Sequence, residues 1–324
     1  MGPRNSIARI PPTARLVVAL GGNAILRHGD DGTIETQYLR ASRAMSHIAR
    51  LARAGHALVL THGNGPVVGN IVLRNEAARA VVAPMPLYIA GADSEGGIGV
   101  MLQMTLGNAL RAAGVTRDVA TVITQTVVEA DDPAFERPTK PIGPYYPAEK
   151  VAAMREAEPT WVFVDTPDCG WRRAVASPLP TRIVEAPVIE RLVASGVAVI
   201  AAGGGGVPVL EGPDGALRGV DAVVDKDWSS ALLARDIDAD ALVILMEEDR
   251  LYLGWGGAGP RAIERLSPDE ASDLVASGAL ETGSVAPKVA ASASFARETG
   301  RPAIICRAED LEAALRGEAG TRIG

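Results

Sequence analysis

Lysine is scarce in this chain and is concentrated where chemistry could use it. Of the 32 lysines and arginines in 324 residues, only Lys140, Lys150, Lys226 and Lys288 are lysines. Three of them sit in tight motifs, Pro138-Thr-Lys140-Pro-Ile-Gly-Pro144, Val224-Asp-Lys226-Asp-Trp228 and Gly283-Ser-Val-Ala-Pro-Lys288. A coding bias toward arginine would thin out lysine everywhere and has no reason to leave three of four in such settings. A lysine carries a compact ammonium on a flexible stem and can follow a moving phosphoryl group, whereas the planar arginine fork suits static bidentate pairing. Asp227 follows Lys226 directly and could orient one or more of these lysines, although an aspartate at a helix start is also a good cap. Lys288 begins a helical run after Gly283 and Ser284, and a helix N-terminus with an added lysine is a strong anion site. Lys150 lies in an Ala/Glu-rich stretch and reads as solvated surface.

Glycine-rich turns supply the second half of an anion site. Leu20-Gly21-Gly22-Asn23-Ala24 and Thr61-His62-Gly63-Asn64-Gly65-Pro66 each follow an apolar run of strand length and precede a helical pattern. Such glycines let backbone N–H groups approach a ligand closely, with Asn23 as an added side-chain donor. A plain strand-to-helix turn would look the same. Ala202-Gly203-Gly204-Gly205-Gly206 ends a later apolar run, and so many glycines are expected where the backbone must meet something bulky, such as nucleotide phosphates. Tyr252 or Trp255 could flank an adenine ring, or simply pack. Glu247-Glu248-Asp249 could bind Mg²⁺ or form a solvated acidic turn. No lysine follows a glycine, so the G-x-x-x-x-G-K-[ST] fingerprint is absent, and Gly63-Asn-Gly65-Pro-Val-Val-Gly69 has the wrong spacing for G-x-G-x-x-G. His62 reads as structural, Cys306 as core and Cys169 as surface.

These residues need a scaffold that gathers strand ends. Arg15–Leu20, His56–Thr61, Val119–Thr126, Val197–Ala202, Ala241–Met246 and Pro302–Cys306 are short apolar runs, most bounded by glycine, that alternate with helical stretches. That pattern predicts buried parallel strands in a three-layer αβα sandwich, with ligands beyond the carboxyl ends of the strands. From about residue 131 to 186 the chain is rich in Pro, Arg and Trp, which predicts a protruding flap rather than slack loop. The expected organisation is an extension over 1–14, an N-terminal lobe over 15–186 that includes the flap, and a nucleotide-binding C-terminal lobe over 187–324. A net charge of −7 argues against nucleic acid or an acidic membrane as partner. Two distant cysteines give no disulfide framework or zinc site. The start has no apolar signal region, and a cytoplasmic protein is expected.

In this order the motifs resemble those of the carbamate kinases of the amino acid kinase superfamily. The similarity runs from about Arg15 to at least Arg307 and is most specific at Ala19–Ala24, Thr61–Pro66, Pro138–Pro144, Ala202–Gly206 and Val224–Asp227. The resemblance implies a homodimeric kinase that transfers a phosphoryl group between ATP and carbamate, giving ADP and carbamoyl phosphate. Its nucleotide would carry Mg²⁺, and its cellular role would be ATP synthesis in arginine or agmatine breakdown or in purine and allantoin use. It also implies roles for residues. Lys140, Lys226, Asp227 and Lys288 would be catalytic, and Gly21, Gly22, Asn23, Gly63, Asn64 and Gly65 would face substrate. Gly203, Gly204, Gly205, Ser284 and Tyr252 would serve the nucleotide. Two departures stand out: Ala286 replaces a usual glycine, and Met246–Arg250 differs from the family's pattern. A kinase of another small carboxylate-like acceptor, or a sensor of the same fold, are the alternatives.

Overall fold

A computed structural model of the chain describes residues 10–27, 29–166, 170–255, 259–280 and 285–324. Its centre is an eight-stranded sheet. The strands are β1 (Arg15–Leu20), β2 (Ala57–His62), β3 (Val119–Thr121), β9 (Ala198–Ile200), β12 (Ala241–Leu245), β15 (Arg265–Leu266), β16 (Ala303–Cys306) and β17 (Thr321–Ile323). Their order is β15-β17-β16-β12-β1-β2-β9-β3. Every ladder is parallel except that between β16 and β17. Apolar runs without alternation belong in such a sheet because both faces are covered. Along β1, Leu16, Val18 and Leu20 enter one core while Val17 and Ala19 enter the other, the period of two that a pleated strand dictates.

The first core is closed by α1 (Ile34–Arg53), α3 (Leu87–Ala112) and α9 (Leu311–Arg316). On the opposite face lie α5 (Ala186–Ala194), α6 (Lys226–Asp236), α7 (Pro268–Ala276) and α8 (Val285–Thr299), with Phe295 the largest of the fully buried side chains. The three-layer αβα arrangement is thus the one expected from sequence. Because β9 pairs with both β2 and β3, the central sheet runs without interruption across residue 186. Among the described residues no helix is long and apolar enough to cross a membrane.

The run read as one strand over Val119–Thr126 divides in two. After β3 the chain turns at Val122, whose N–H donates to Ile200, and at Thr124, whose N–H donates to Glu95. It then enters a second, four-stranded sheet as β4 (Gln125–Val128), beside β8 (Pro180–Ile183), β10 (Val207–Glu211) and β11 (Leu217–Gly219). The flap is a three-stranded antiparallel sheet of β5 (Lys140–Tyr146), β6 (Val162–Thr166) and β7 (Gly170–Val175), with α4 (Ala148–Ala157) against it. It is anchored on α2 (Gly65–Ala78), where Ile142 and Val175 pack with Val68 and Val72. Strands β13 (Leu251–Leu253) and β14 (Arg261–Ile263) pair as an antiparallel ladder beyond β12.

Candidate active site

One cleft of about 960 Å³ opens at the carboxyl ends of β1, β2 and β12, lined by Gly21, Gly22, Gly63, Lys140, Lys226 and Lys288 among others. That volume suits a nucleotide with a small acceptor. Three helix N-termini converge on it: Gly65 and Pro66 of α2, Lys226 and Asp227 of α6, and Pro287 and Lys288 of α8. Each turns the positive end of a helix dipole toward the cleft, so the cleft favours an anion even before the side chains are considered.

The side chains strengthen that preference. Lys226 and Lys288 both pair with the carboxylate of buried Asp227, Lys288 at 3.3 Å. Lys140 reaches from the first flap strand to Asp225 at 2.8 Å. Asp225 also caps α6 by accepting the Asp227 N–H at 2.9 Å. Three ammonium groups and two carboxylates of the described residues therefore meet in the cleft. Burial opposes ionisation of Asp225, and Lys140, the Asp227 N–H and Lys226 outweigh it, holding its carboxyl below the usual range. Burial, with the Lys226 ammonium beside it, pulls Lys288 below the usual lysine range against the attraction of Asp227. An anion bound there would relieve Lys288.

The glycines divide into two kinds. Gly21, in extended conformation at φ −65°, and Gly22 have only ordinary contacts where a Cβ would stand: Leu245 O at 3.5 Å and Pro66 Cδ at 3.7 Å. Neither protein packing nor backbone strain demands glycine at these positions, so their open faces toward the cleft point to close approach by a ligand. Gly63 is tighter, with its Cβ position 3.0 Å from Gly22 N and 3.4 Å from Lys226 Cδ. The later tract is different. A Cβ on Gly203 would lie 2.4 Å from His62 Nε2, and one on Gly204 2.1 Å from Asn64 Nδ2. A Cβ on Gly205 would lie 2.3 Å from Val224 O, and one on Gly206 2.2 Å from Thr126 Oγ1. Protein atoms fill these spaces, and of Gly203, Gly204 and Gly205 only Gly204 lines the cleft.

Asn64 lines the cleft, but its amide donates to Ser94 Oγ at 2.7 Å, so the side chain is held from α3. Tyr252 is not among the lining residues; its hydroxyl donates to Asp249 at 2.9 Å and its ring meets Trp255 at 5.0 Å. The side chain of Asn23, residues Cys169, Gly283 and Ser284, and the first nine residues lie outside the described residues. Ala286 is in the first turn of α8 and is not among the described non-glycine residues with positive φ. Alanine there carries no backbone strain and suits a helix better than glycine. Met246 and Glu247 line the cleft, Met246 donating its N–H to Cys306 O and Glu247 pairing with Arg27 at 2.9 Å. Lys150 is exposed over the Tyr146 ring, and Cys306 is buried in the core, its thiol pushed up to about 12 by burial.

Residues 14–307 match the family model described as the amino acid kinase family. A carbamate kinase of Pyrococcus horikoshii is 42% identical over 311 residues, covering 95% of this chain and 98% of the relative. The chain belongs to the amino acid kinase family. Within it the likeness to carbamate kinases recurs: that of Halobacterium salinarum is 45% identical, covering 95% of this chain and 97% of its own length. A solved structure, the carbamate kinase of Giardia lamblia bound to AMP-PNP, superposes with a TM-score of 0.90 at 38% identity, covering 96% of this chain and 98% of that one. A UMP kinase of Bacillus anthracis, 15% identical with a TM-score of 0.51, shares the amino acid kinase fold alone.

Sequence reasoning did not single out Asp225, which pairs with Lys140, Ser94, which holds Asn64, or Glu95, which holds Gly203. Asp225 was visible as a helix cap but not as the partner of a lysine 85 residues away. Ser94 and Glu95 sit within Ala92-Asp-Ser-Glu-Gly96 of a long helix and carry no local signal of burial.

Proposed function

We propose that the chain is a carbamate kinase in which the described cleft is the active site, transferring a phosphoryl group reversibly between ATP and carbamate. The convergence of Lys140, Lys226 and Lys288 with Asp227, beside the open faces of Gly21 and Gly22, is the observation that carries this reading. Phosphoryl transfer to an already acidic oxygen needs positioning and charge stabilisation rather than a protein nucleophile. Gly21 and Gly22 bring backbone N–H groups against the transferring group, with Asn23, Gly63, Asn64 and Gly65 around the carbamate. Lys226 and Lys288 neutralise charge on the phosphoryl oxygens, and Asp227, shared between them, sets where their ammonium groups stand. Lys140 exchanges Asp225 for the phosphoryl group as the flap closes. Gly204, Ser284 and the β12–β13 connection with Tyr252 serve the nucleotide side.

ATP and ADP are substrates, and Mg²⁺ enters with them. Among the described residues no group of three or more His, Cys, Asp or Glu could hold a metal ion, so the nucleotide phosphates would carry it. We further read the protein as a cytoplasmic homodimer that makes ATP in arginine or agmatine breakdown, or in purine and allantoin use. Support for the dimer comes from α3, where Ile89, Val100 and Met104 are exposed on one helix near Ile123. The reaction is tested by following ATP formation from ADP and Mg²⁺ with fresh carbamoyl phosphate, and separately with acetyl phosphate. Rapid ATP formation confined to carbamoyl phosphate is expected. Equal or greater use of acetyl phosphate would replace carbamate by another carboxylate acceptor, and no ATP from either would end the kinase reading.

A further inference from the structure

His62 and Glu95 form a buried pair that phosphoryl transfer as described leaves unused. His62 Nδ1 faces the Gly63 carbonyl at 3.2 Å, and because a carbonyl only accepts, Nδ1 carries the ring proton. Nε2 is then an acceptor, fully buried and without a hydrogen-bond partner. Glu95, 1% exposed, accepts the N–H of Gly203 on Oε1 at 2.9 Å and that of Thr124 on both oxygens at 3.2 Å. No cation pairs with it among the described residues. The charge it feels is that of Glu185, which accepts from Gln125, while Lys226 acts on His62. The missing Cβ of Gly203 would lie 2.4 Å from His62 Nε2 and 2.8 Å from Glu95 Cγ, so the two side chains crowd one glycine. A carboxylate buried without a cation is costly, and so is an orphaned acceptor. One proton on Glu95 answers both.

We propose that Glu95 is a positioning residue working in its neutral form: Oε1 accepts the Gly203 N–H, the Thr124 N–H is shared between the two oxygens, and the carboxyl proton serves His62 Nε2. The pair thereby holds the Gly203–Gly205 turn, and through Gly204 the Asn64 wall of the cleft. Burial, against the pull of those N–H groups, pushes Glu95 up to about 8, so the proton is present at neutral pH and lost above it. Burial pushes His62 down to about 4, which keeps its ring neutral over the same range.

This inference rests on the cleft being the active site, so Lys226→Ala is included as its control. Turnover with ADP, Mg²⁺ and carbamoyl phosphate is measured across pH 8 for wild type, Glu95→Gln and Glu95→Ala. Glu95→Ala loses on the order of a hundredfold in kcat, the cost of a site shifted by about an ångström. Glu95→Gln keeps an accepting oxygen and supplies a permanent donor, so it restores most of the activity. Its advantage over wild type grows about tenfold per pH unit above the wild-type transition, as for loss of one proton. Substrate effects on the profile are common to both proteins and cancel in that ratio. Glu95→Gln as poor as Glu95→Ala, or a ratio independent of pH, would overturn the proposal, and the ratio decides even if Glu95→Ala does not fold. Full activity in Lys226→Ala would instead overturn the cleft assignment and this proposal with it.

Discussion

Asp227 is the residue on which the cleft is organised, because two lysines from different helices share its carboxylate. Removing it takes away the carboxylate that Lys226 and Lys288 share, and breaking a buried pair is more damaging than never having made one. Asp227→Ala is expected to lower both the unfolding midpoint and turnover, measured by thermal melting and by ATP formation. The lysines themselves were legible in the sequence because their rarity and motifs marked them. His62 read as structural and is buried, whereas Glu95 was not legible, since burial of a glutamate within a helix of mixed composition depends on what packs across it. Their effect on stability has a definite sign. Glu95 keeps its proton to about 8 when folded but loses it near 4.5 when unfolded, so stability falls as pH rises through that window. His62 stays neutral down to about 4 when folded but protonates near 6.5 when unfolded, so stability also falls as pH drops from 6.5 to 4. Denaturant midpoints across this range check both, and Glu95→Gln removes the first trend while leaving the second.

At the scale of elements, the two glycine turns make opposite demands. The turn after β1 is open where a side chain would begin, whereas the tract after β9 is packed on every side by His62, Asn64, Val224 and Thr126. Gly22→Ala should therefore leave the melting midpoint close to wild type while impairing turnover or raising KM. Gly204→Ala, forced to hold φ +65° with a Cβ against Asn64, should cost about 1–3 kcal/mol or more. Equal destabilisation by both would remove the distinction. Sequence reading saw both as phosphate loops, because glycine clusters at strand ends look alike until their neighbours are known. Strand positions were legible from apolar runs alone, but the break between β3 and β4 depends on Thr124 being held by Glu95 from α3. That contact lies 29 residues away and leaves no local trace.

Across the whole molecule, ion pairs and close packing on α2 hold the flap against the rest of the chain, Arg79 at the end of α2 pairing with Glu158 at the end of α4 at 2.6 Å. Lys140 and Asp225 pair likewise at the cleft, and Gly69 on α2 lies against Gly143 in the flap, its Cβ position 3.4 Å from Gly143 Cα. Val100 and Met104, 52% and 49% exposed, lie one turn apart on α3, and charging both should yield a monomer in sedimentation if that face joins two copies. An unchanged sedimentation coefficient would place any interface elsewhere. The architecture was legible from the alternation of apolar runs and helices, whereas the insertion of β9 between β2 and β3 was not, because parallel strand order is set by crossovers rather than by any strand's own sequence.

The most direct test of the central claim is the turnover of Lys140→Ala, Lys226→Ala and Lys288→Ala, each shown to be folded, beside Lys150→Ala on the exposed flap surface. Each of the first three should lose on the order of a hundredfold or more in ATP formation from ADP and carbamoyl phosphate, as for removal of a group that stabilises transition-state charge. Lys150→Ala should match wild type. Wild-type turnover in Lys226→Ala, the lysine that joins Asp227 at the start of α6, would contradict the account.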